Sequence, residues 1–250
     1  MTCFIFFTGG YDSTYRLCEA AIIEKKNVVP IYINDPDIDN EKGKRVKRRN
    51  NAQETTSQKK IIDKIKAKFP EAKKRIKNIV VYNEVPLDQD TKDQMKIIKD
   101  HSYVRRATCQ YGAMAQITKN IKTPVEVCAE RGGHFEKKLK NKLMPNVMAL
   151  DTARHTELRL FKDLRLPLFN MTKEDMLKKS REHGFDDVLM NSWSCWYPKK
   201  GKPCGRCIMC KERIVPFVEG FQNVKESMWL LDLAIVINLI LIGVLFLRRG

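Results

Sequence analysis

The sequence is poor in the residues and patterns that mark fibrous or flexible chains. It contains 12 glycines and 10 prolines among 250 residues, which excludes collagen-like and linker-like material. It has no internal repeat and no low-complexity tract, so repeat arrays and biased-composition proteins are excluded as well. No basic segment followed by an apolar stretch and a small-residue cleavage site stands at its start. We therefore expect the main domain to occupy a reducing compartment.

The charge is strongly unbalanced toward cations. Lys and Arg number 47 against 30 Asp and Glu, a formal net charge of +17, which favours anionic partners such as nucleotides, nucleic acid or a membrane surface. Residues 41–77 alone hold 15 Lys and Arg against 4 Asp and Glu, a net of +11. A solvated helix surface and a phosphate-facing patch for nucleic acid both account for this segment. Phe69 is the only aromatic residue within it, which disfavours a stacking platform for single strands.

Short, wholly apolar runs alternate with helical patterns along the first 190 residues. Such runs predict buried strands, and strands that alternate with helices predict an α/β fold with a Rossmann-like parallel sheet covered on both faces. Ligands of such sheets bind at the carboxyl ends of the strands. The predicted strands are residues 3–7, 28–33, 79–82, 125–128 and 147–150, and the predicted helices include residues 13–25, 53–69 and 173–183.

A glycine-rich turn follows the first predicted strand. Thr8-Gly9-Gly10-Tyr11-Asp12-Ser13-Thr14 leads directly into a helical pattern. Adjacent glycines let the backbone approach an anion, and the amides of a first helical turn attract phosphate. The hydroxyls of Ser13 and Thr14 can donate to phosphate oxygens, and Asp12 can orient the loop or bind Mg²⁺. No Gly-Lys-Ser/Thr follows and the third glycine is missing, so the turn is neither a Walker A loop nor a dinucleotide fingerprint.

Four of the eight cysteines lie within 16 residues. In a reducing compartment, this count and spacing suit a closed tetrahedral zinc site, whose metal is structural because no coordination position stays open. An iron–sulfur cluster, which also takes four thiolates, is the alternative. The ligands are Cys195, Cys204, Cys207 and Cys210.

The glycine-rich turn resembles the Ser-Gly-Gly-x-Asp-Ser loop of the PP-loop ATP pyrophosphatases, with Thr8 in place of the leading serine. The resemblance implies a PP-loop type of Rossmann-like sheet, with ATP and Mg²⁺ as cofactors. It also implies cleavage of ATP between the α and β phosphates and adenylation of a substrate oxygen. The nucleotide-binding residues that it implies are Phe7, Thr8, Gly9, Gly10, Tyr11, Asp12, Ser13 and Thr14.

The cysteine segment resembles a narrower PP-loop family, the 7-cyano-7-deazaguanine synthases. Ser194-Cys195-Trp196-Tyr197-Pro198 and residues 203–213 carry this resemblance, together with residues 166–174, which end in Lys173-Glu174. It implies an ATP-dependent carbon–nitrogen ligase of queuosine biosynthesis, which converts a 7-carboxy-7-deazaguanine carboxylate to a nitrile with ammonia through adenylated intermediates. Candidate catalytic residues are then Asp12, Ser13 and Lys173, candidate phosphate or substrate contacts are Arg105, Arg106 and Arg131, and the cysteines hold Zn²⁺.

The C-terminal residues are strongly apolar. Residues 229–247 are interrupted only by Asp232, Asn238 and Gly243. Because a helix of about 20 apolar residues spans a bilayer, residues 228–247 predict a transmembrane tail anchor on a cytoplasmic catalytic domain. A terminal helix packed on a partner subunit is the alternative, and a homodimer is left open.

The expected organisation is an ATP-binding α/β domain at 1–190, a four-cysteine motif with its following helix at 191–222, and this tail helix.

Two rival functions stay open on the sequence. One is another PP-loop reaction, either tRNA base thiolation or amidation of a different carboxylate, which the basic residues 41–77 favour. Thiolation would need Cys109 or Cys128 as a sulfur carrier. The family's substrate motif is also absent after residues 125–128, where Glu130-Arg131-Gly132-Gly133 stands. The other rival is a non-catalytic, zinc-stabilised and membrane-tethered binder of nucleotides or RNA.

Overall fold

A computed structural model describes residues 2–34, 37–39, 45–47, 49–100, 109–133, 136, 139–144 and 147–213. The chain divides into two compact units, residues 1–204 and 205–250. The second unit is described only at residues 205–213, of which 208–213 are helical. The sheet and the helices around it belong to the first unit.

The centre of the first unit is a five-stranded sheet in which every neighbouring pair is parallel. The predicted parallel α/β fold is therefore confirmed. The strands are hydrogen-bonded in the order β5-β2-β1-β6-β9, where β1 is Thr2–Phe6, β2 is Asn27–Ile33, β5 is Val80–Tyr82, β6 is Val125–Glu126 and β9 is Leu164–Arg165. Two antiparallel pairs lie outside this sheet: β3 (Asp37–Asp39) with β4 (Arg45–Lys47), and β7 (Leu143–Met144) with β8 (Val147–Leu150).

The helices follow the strands as βα units require. In α2, Ile61 and Ile65 are fully buried, because residues four apart lie on one face of a helix and this face is turned toward the interior. The helices are α1 (Tyr11–Cys18), which continues as a π-helix (Glu19–Ile23), α2 (Asn51–Lys68), α3 (Pro70–Arg75), α4 (Gln89–Asp100), α5 (Cys109–Ile121), α6 (Lys173–Glu182) and α7 (Asp186–Leu189), with 3-10 turns at Lys140–Lys142 and Thr156–Phe161.

One predicted strand takes a different place from the rest. Residues 147–150 do form β8, but β8 pairs antiparallel with β7 and stays out of the parallel sheet. The fifth place in the sheet belongs to β9, which pairs with β6 through only two residues. A strand of two residues is too short to produce a pattern of its own in the sequence.

The strand order reverses at β1. β2 and β5 lie on one side of β1, and β6 and β9 lie on the other. The loops that leave the carboxyl ends of β1 and β6 therefore flank the crevice where open parallel sheets bind ligands. The loop after β1 is the glycine-rich turn, and the loop after β6 carries Glu130 and Arg131.

A buried ionic network ties α1 to the sheet. Arg16 is 3% exposed, and its guanidinium donates to Glu126 at 2.7 and 3.0 Å, to Glu19 at 2.8 Å and to Glu24 at 2.7 and 3.0 Å. Lys179 on α6 also donates to Glu19, at 2.7 Å. These partners satisfy a charge that would otherwise be costly to bury, so the network fixes α1, β6 and α6 behind the glycine-rich turn.

This network makes stability depend on pH in acid. Burial alone would raise the pKa of Glu24, but hydrogen bonds from Arg16 and Lys26 outweigh it and lower that pKa to about 2. The contribution of Glu24 to stability is therefore complete above its ordinary pKa of 4.5 and is lost as pH falls toward 2. We expect Glu24→Gln to reduce the free energy of unfolding by about 1.5 kcal/mol at pH 7.

Urea unfolding of both proteins at several pH values checks this expectation. The difference in free energy of unfolding between wild type and Glu24→Gln should shrink steadily below pH 4.5, while Glu71→Gln, at a position whose side chain is 70% exposed, should match wild type throughout because exposed pairs add little. A difference that stays constant down to pH 2.5 would contradict the assigned role of Glu24.

Within the described part of the chain, no helix combines the length and the hydropathy that a membrane crossing requires. The tail helix expected at 228–247 lies outside the described residues. The same holds for two candidate contacts, Arg105 and Arg106.

Candidate functional site

The glycine-rich turn leaves the carboxyl end of β1 under tight steric constraints. Gly9 has a φ of +75°, in the left-handed region that glycine adopts without a steric penalty. A Cβ at this position would lie 3.1 Å from Cγ of Gln58 and 3.3 Å from the carbonyl oxygen of Glu54. Both the backbone angle and the close approach of α2 therefore require glycine here.

The two hydroxyls of the turn are held together at the start of α1. Gly10 N–H donates to Thr8 Oγ1 at 3.2 Å, and Ser13 Oγ donates to the Gly10 carbonyl at 3.2 Å. The two side-chain oxygens lie 3.4 Å apart. The first intrahelical bond runs from Thr14 N–H to the Gly10 carbonyl at 2.9 Å. The amides ahead of that bond open onto the helix N-terminus, which is the arrangement that attracts a phosphate.

Thr14 differs from its neighbours in the turn. Its side chain is fully buried, and its hydroxyl makes no hydrogen bond to any described residue. The partly exposed groups of the turn therefore include Thr8 and Asp12, while Ser13 is 6% exposed beside them.

Two carbonyl groups of the turn accept hydrogen bonds from α2 and from Trp193. Gln58 Nε2 donates to the Phe7 carbonyl at 2.9 Å, while Ser57 Oγ and Trp193 N–H donate to the Gly9 carbonyl at 3.2 and 2.8 Å. Because these bonds fix the peptide planes, they orient the loop before any anion arrives, and a preorganised donor set stabilises developing charge most effectively.

Lys173 lies directly against the glycine-rich turn. Its Nζ is 2.7 Å from Oε1 of Glu130 and 3.7 Å from Oδ1 of Asp12. The hydroxyl of Tyr11 donates to its carbonyl oxygen at 3.4 Å. Two of the candidate catalytic residues, Asp12 and Lys173, are thus brought together from distant parts of the chain, in a partly buried cluster of one cation and two carboxylates.

A capping box positions Lys173 at the first residue of α6. Thr172 Oγ1 accepts from Asp175 N–H at 3.1 Å, and Thr172 N–H donates to the Asp175 carboxylate at 2.9 Å. Hydrogen bonds from Thr172 hold the pKa of Asp175 below its usual value, so the carboxylate of the cap stays charged further into acid than an ordinary aspartate. The Thr-x-x-Asp spacing is the signal in the sequence that predicts such a cap.

Three residues of the site had not been identified from the sequence. Glu130 follows β6 at the same edge of the sheet as the glycine-rich turn, and that placement is the signal that could have indicated it. Ser57 and Trp193 had no local signal, because their contacts with Gly9 depend on tertiary packing. The remaining candidate, Arg131, lies in an exposed turn beside Glu130, and its N–H donates to the Met171 carbonyl at 2.9 Å.

The four cysteines form the second site. Their sulfur atoms all lie within 4.8 Å of one another. Cys204 N–H donates to Sγ of Cys195 at 3.2 Å, and the sulfurs of Cys207 and Cys210 are 3.5 Å apart. Zinc–thiolate bonds of about 2.3 Å place the sulfurs of a tetrahedral site roughly 3.8 Å apart, so this spacing fits a single ion with little adjustment. No other group of three or more metal-ligating side chains this close occurs among the described residues.

Residues 143–223 match a protein-family model described as queuosine biosynthesis protein QueC. This segment contains Lys173 and all four cysteines, and the match confirms the expected resemblance to the 7-cyano-7-deazaguanine synthases over that part of the chain. It supports the prediction of an ATP-dependent, adenylating enzyme.

No curated protein sequence matches the chain. Among solved structures, the U34-tRNA thiolase NcsA from Methanococcus maripaludis, with its [4Fe-4S] cluster, is similar at 10% identity and a TM-score of 0.40, over 89% of this chain and 67% of that one. A similarity this distant gives no guide to the substrate or metal of the present chain.

Proposed function

We propose that this chain is an ATP-dependent ligase resembling the 7-cyano-7-deazaguanine synthases, which converts the carboxylate of 7-carboxy-7-deazaguanine to a nitrile with ammonia. One contact carries the proposal: Lys173 lies inside the segment matched to the QueC family, and its amine is 3.7 Å from Asp12. Asp12 belongs to the glycine-rich turn, outside that segment. A family-specific element and an ATP-type loop therefore line one crevice.

The first half of the proposed reaction forms an amide. A carboxylate oxygen of the substrate attacks the α-phosphorus of ATP, the bond to the β-phosphate oxygen breaks, and pyrophosphate leaves. Ammonia then attacks the acyl adenylate, loses a proton and displaces AMP. Adenylation is needed because a carboxylate oxygen is a poor leaving group and AMP is a good one.

The second half dehydrates the amide at the expense of another ATP. The amide oxygen attacks the second α-phosphorus, pyrophosphate leaves again, and the amide nitrogen loses a proton. Loss of AMP and a proton from the adenylated amide then gives the nitrile. Two ATP are therefore consumed for each nitrile formed.

The residues of the site have separable roles in this scheme. The first-turn amides of α1 and the hydroxyls of Thr8 and Ser13 receive the β and γ phosphates, and they stabilise the charge of the departing pyrophosphate. The ammonium of Lys173 lies at the edge of the same turn, where it can offset charge that develops at the α-phosphate. Glu130, 2.7 Å from that ammonium, holds it in place.

One carboxylate of the crevice fits an ATP-bound magnesium ion. Mg²⁺ at nucleotide sites is held by one or two carboxylates together with substrate phosphates and water. Asp12 would supply this carboxylate, since it lies 3.7 Å from Lys173 Nζ, whereas Glu130 is paired with Lys173 at 2.7 Å. The ion would neutralise part of the charge on the phosphates when bound.

The cysteine cluster fits a structural Zn²⁺ ion. Four thiolates leave no open coordination position, so the site gives no water activation. Its proposed role is to hold the segment that follows α7, which carries Trp193 to the back of the glycine-rich turn.

Product analysis tests the proposed function. The purified protein, incubated with ATP, ammonia and 7-carboxy-7-deazaguanine, should yield a product whose mass is that of the nitrile, with two AMP formed for each. Omission of ammonia should stop product formation. If only the amide forms, the enzyme catalyses a simple amidation. If 7-carboxy-7-deazaguanine does not stimulate AMP formation, this compound is not the acceptor.

The thiolation alternative finds no support at Cys128. Burial is the main cause that raises the pKa of the Cys128 thiol well above its usual value, and the negative charge of Glu126 is the second. A sulfur carrier acts as a thiolate, so this environment disfavours that chemistry. The side chain of Cys109 lies outside the described residues.

The proposed partners other than substrate and ammonia rest on the sequence. They are a membrane, in which residues 228–247 would anchor the chain, a nucleic acid, which the basic residues 41–77 would contact, and a second copy of the chain. For the anchor, we expect full-length protein in membrane fractions to resist extraction by high salt and by carbonate, since charge alone is screened at high salt. Release by high salt would contradict the anchor.

A further inference from the structure

A cavity of about 280 Å³ adjoins the glycine-rich turn. Its walls are the outer face of α2 and residues 191–201, all within the first unit, and none of its lining residues is among the candidate catalytic residues. It meets the turn through Ser57 and Trp193, which both line it and both donate to the Gly9 carbonyl. The lining residues used below are Ala52, Gln53, Ser57, Lys60, Trp193 and Gly201.

The cavity contains an unsatisfied hydrogen-bond acceptor. Oε1 of Gln53 is buried and accepts no hydrogen bond from any described residue. A buried acceptor without a donor is unfavourable, so a turn of the Gln53 amide that presents this oxygen to a ligand N–H or O–H group gains a hydrogen bond.

An indole ring forms part of the wall. The Nε1–H of Trp193 donates to the Cys195 carbonyl at 2.8 Å, and this bond fixes the orientation of the ring. A fixed, partly exposed indole is a surface on which planar heterocycles stack.

One lysine lines the cavity, and three more lie in the turn around the lining residue Gly201. Lys60 lines it from α2, and Gly201 lines it from a tight turn closed by two 2.9 Å hydrogen bonds between Lys199 and Lys202. Within that turn, Lys200 has a φ of +47°, a strained angle for a residue with a side chain. None of these four lysines forms an ion pair within the described part of the chain, so their charges are open to an anion.

We propose that this cavity binds a nucleotide unit, with the base stacked on Trp193 and hydrogen-bonded to Gln53, and with the phosphate between Lys60 and the turn at residues 199–202. The volume of about 280 Å³ lies near the lower end of the range for small-molecule pockets, about 300–1,000 Å³, so it suits one nucleotide unit and no larger ligand. The unit is either free or part of an RNA strand. The proposal rests on the cavity alone and does not require the deazaguanine reaction.

A ligand in the cavity would affect the position of the glycine-rich turn. The single proton of the Ser57 hydroxyl is shared between the Asn191 carbonyl, at 2.5 Å, and the Gly9 carbonyl, at 3.2 Å, so the same hydroxyl contacts both the turn and the cavity wall. A ligand that moves either wall would therefore shift the Gly9 peptide.

Binding by variants tests the proposal on the full chain. A fluorescently labelled single-stranded RNA octamer is titrated by anisotropy, and AMP is titrated by calorimetry. Lys60→Glu reverses a rim charge and Ala52→Phe fills the cavity, so each should weaken binding about tenfold. The matched controls are Lys59→Glu and Thr55→Phe, at exposed positions of α2 that do not line the cavity, and they should bind like wild type.

The pattern of losses decides the outcome. Weakening of both probes by the two cavity variants supports a site for the unit in either form, and weakening of AMP alone supports the free nucleotide. If Ala52→Phe leaves both probes unchanged, or if Lys59→Glu weakens the octamer as much as Lys60→Glu, binding is diffuse surface attraction and the proposal is overturned. Unfolding midpoints close to wild type confirm that each variant is folded.

Discussion

Ser13→Ala and Asp12→Ala should each remove most of the pyrophosphate release from ATP while the protein stays folded. Ser13 Oγ lies at the N-terminus of α1, 3.4 Å from Thr8 Oγ1, among the groups that would meet the departing pyrophosphate. Removal of one preorganised donor at developing charge costs about 3–4 kcal/mol in activation free energy, a loss of roughly 10²–10³ in kcat.

Asp12→Ala acts by a different route to a similar loss. It removes a carboxylate that lies 3.7 Å from Lys173 Nζ, and with it the carboxylate proposed to bind magnesium. Pyrophosphate release in steady state measures both variants, with Thr55→Ala and Asp93→Ala as controls at exposed positions on α2 and α4. If both loop variants stay within about threefold of wild type, which is only about 0.7 kcal/mol, the turn is not the ATP site.

Cys207→Ser should release the bound metal and destabilise the protein. The four sulfurs lie within 4.8 Å of one another, so loss of one ligand opens a site whose formation is coupled to folding. We expect a loss of about 3–5 kcal/mol in the free energy of unfolding, which for a chain of this size lowers Tm by roughly 10 °C or more.

Metal analysis together with thermal unfolding checks this expectation. Wild type should carry one equivalent of zinc, and Cys207→Ser should carry little. Cys3→Ser, at a cysteine on β1 outside the cluster, should keep the metal. Iron in wild type, or a full equivalent of zinc in Cys207→Ser, would contradict the zinc assignment.

The local sequence was sufficient to predict those features whose residues all lie within one short segment. The apolar run before Gly9 predicted β1 and the turn that follows it, because a buried strand and a left-handed glycine each leave a local signature. The four cysteines, confined to 16 residues, predicted their own clustering for the same reason.

The cluster around Lys173 could not be derived in this way. Its contact with Glu130 depends on the reversal of strand order at β1, which places the loop after β6 beside the loop after β1. Strand order is set by long-range packing, and β9 has only two residues in the sheet. The Arg16 network could not be predicted from the sequence either, because Glu126 contacts Arg16 only when β6 pairs with β1.

The nucleotide products of ATP cleavage test the central claim most directly. ATP labelled at the α-phosphate is incubated with the protein, Mg²⁺, ammonia and 7-carboxy-7-deazaguanine, and the labelled nucleotides are separated. A glycine-rich turn that holds the departing pyrophosphate predicts labelled AMP with an equal amount of pyrophosphate, and little of either in the Ser13→Ala protein. Labelled ADP with inorganic phosphate, or AMP formation that persists unchanged in Ser13→Ala, would contradict the account.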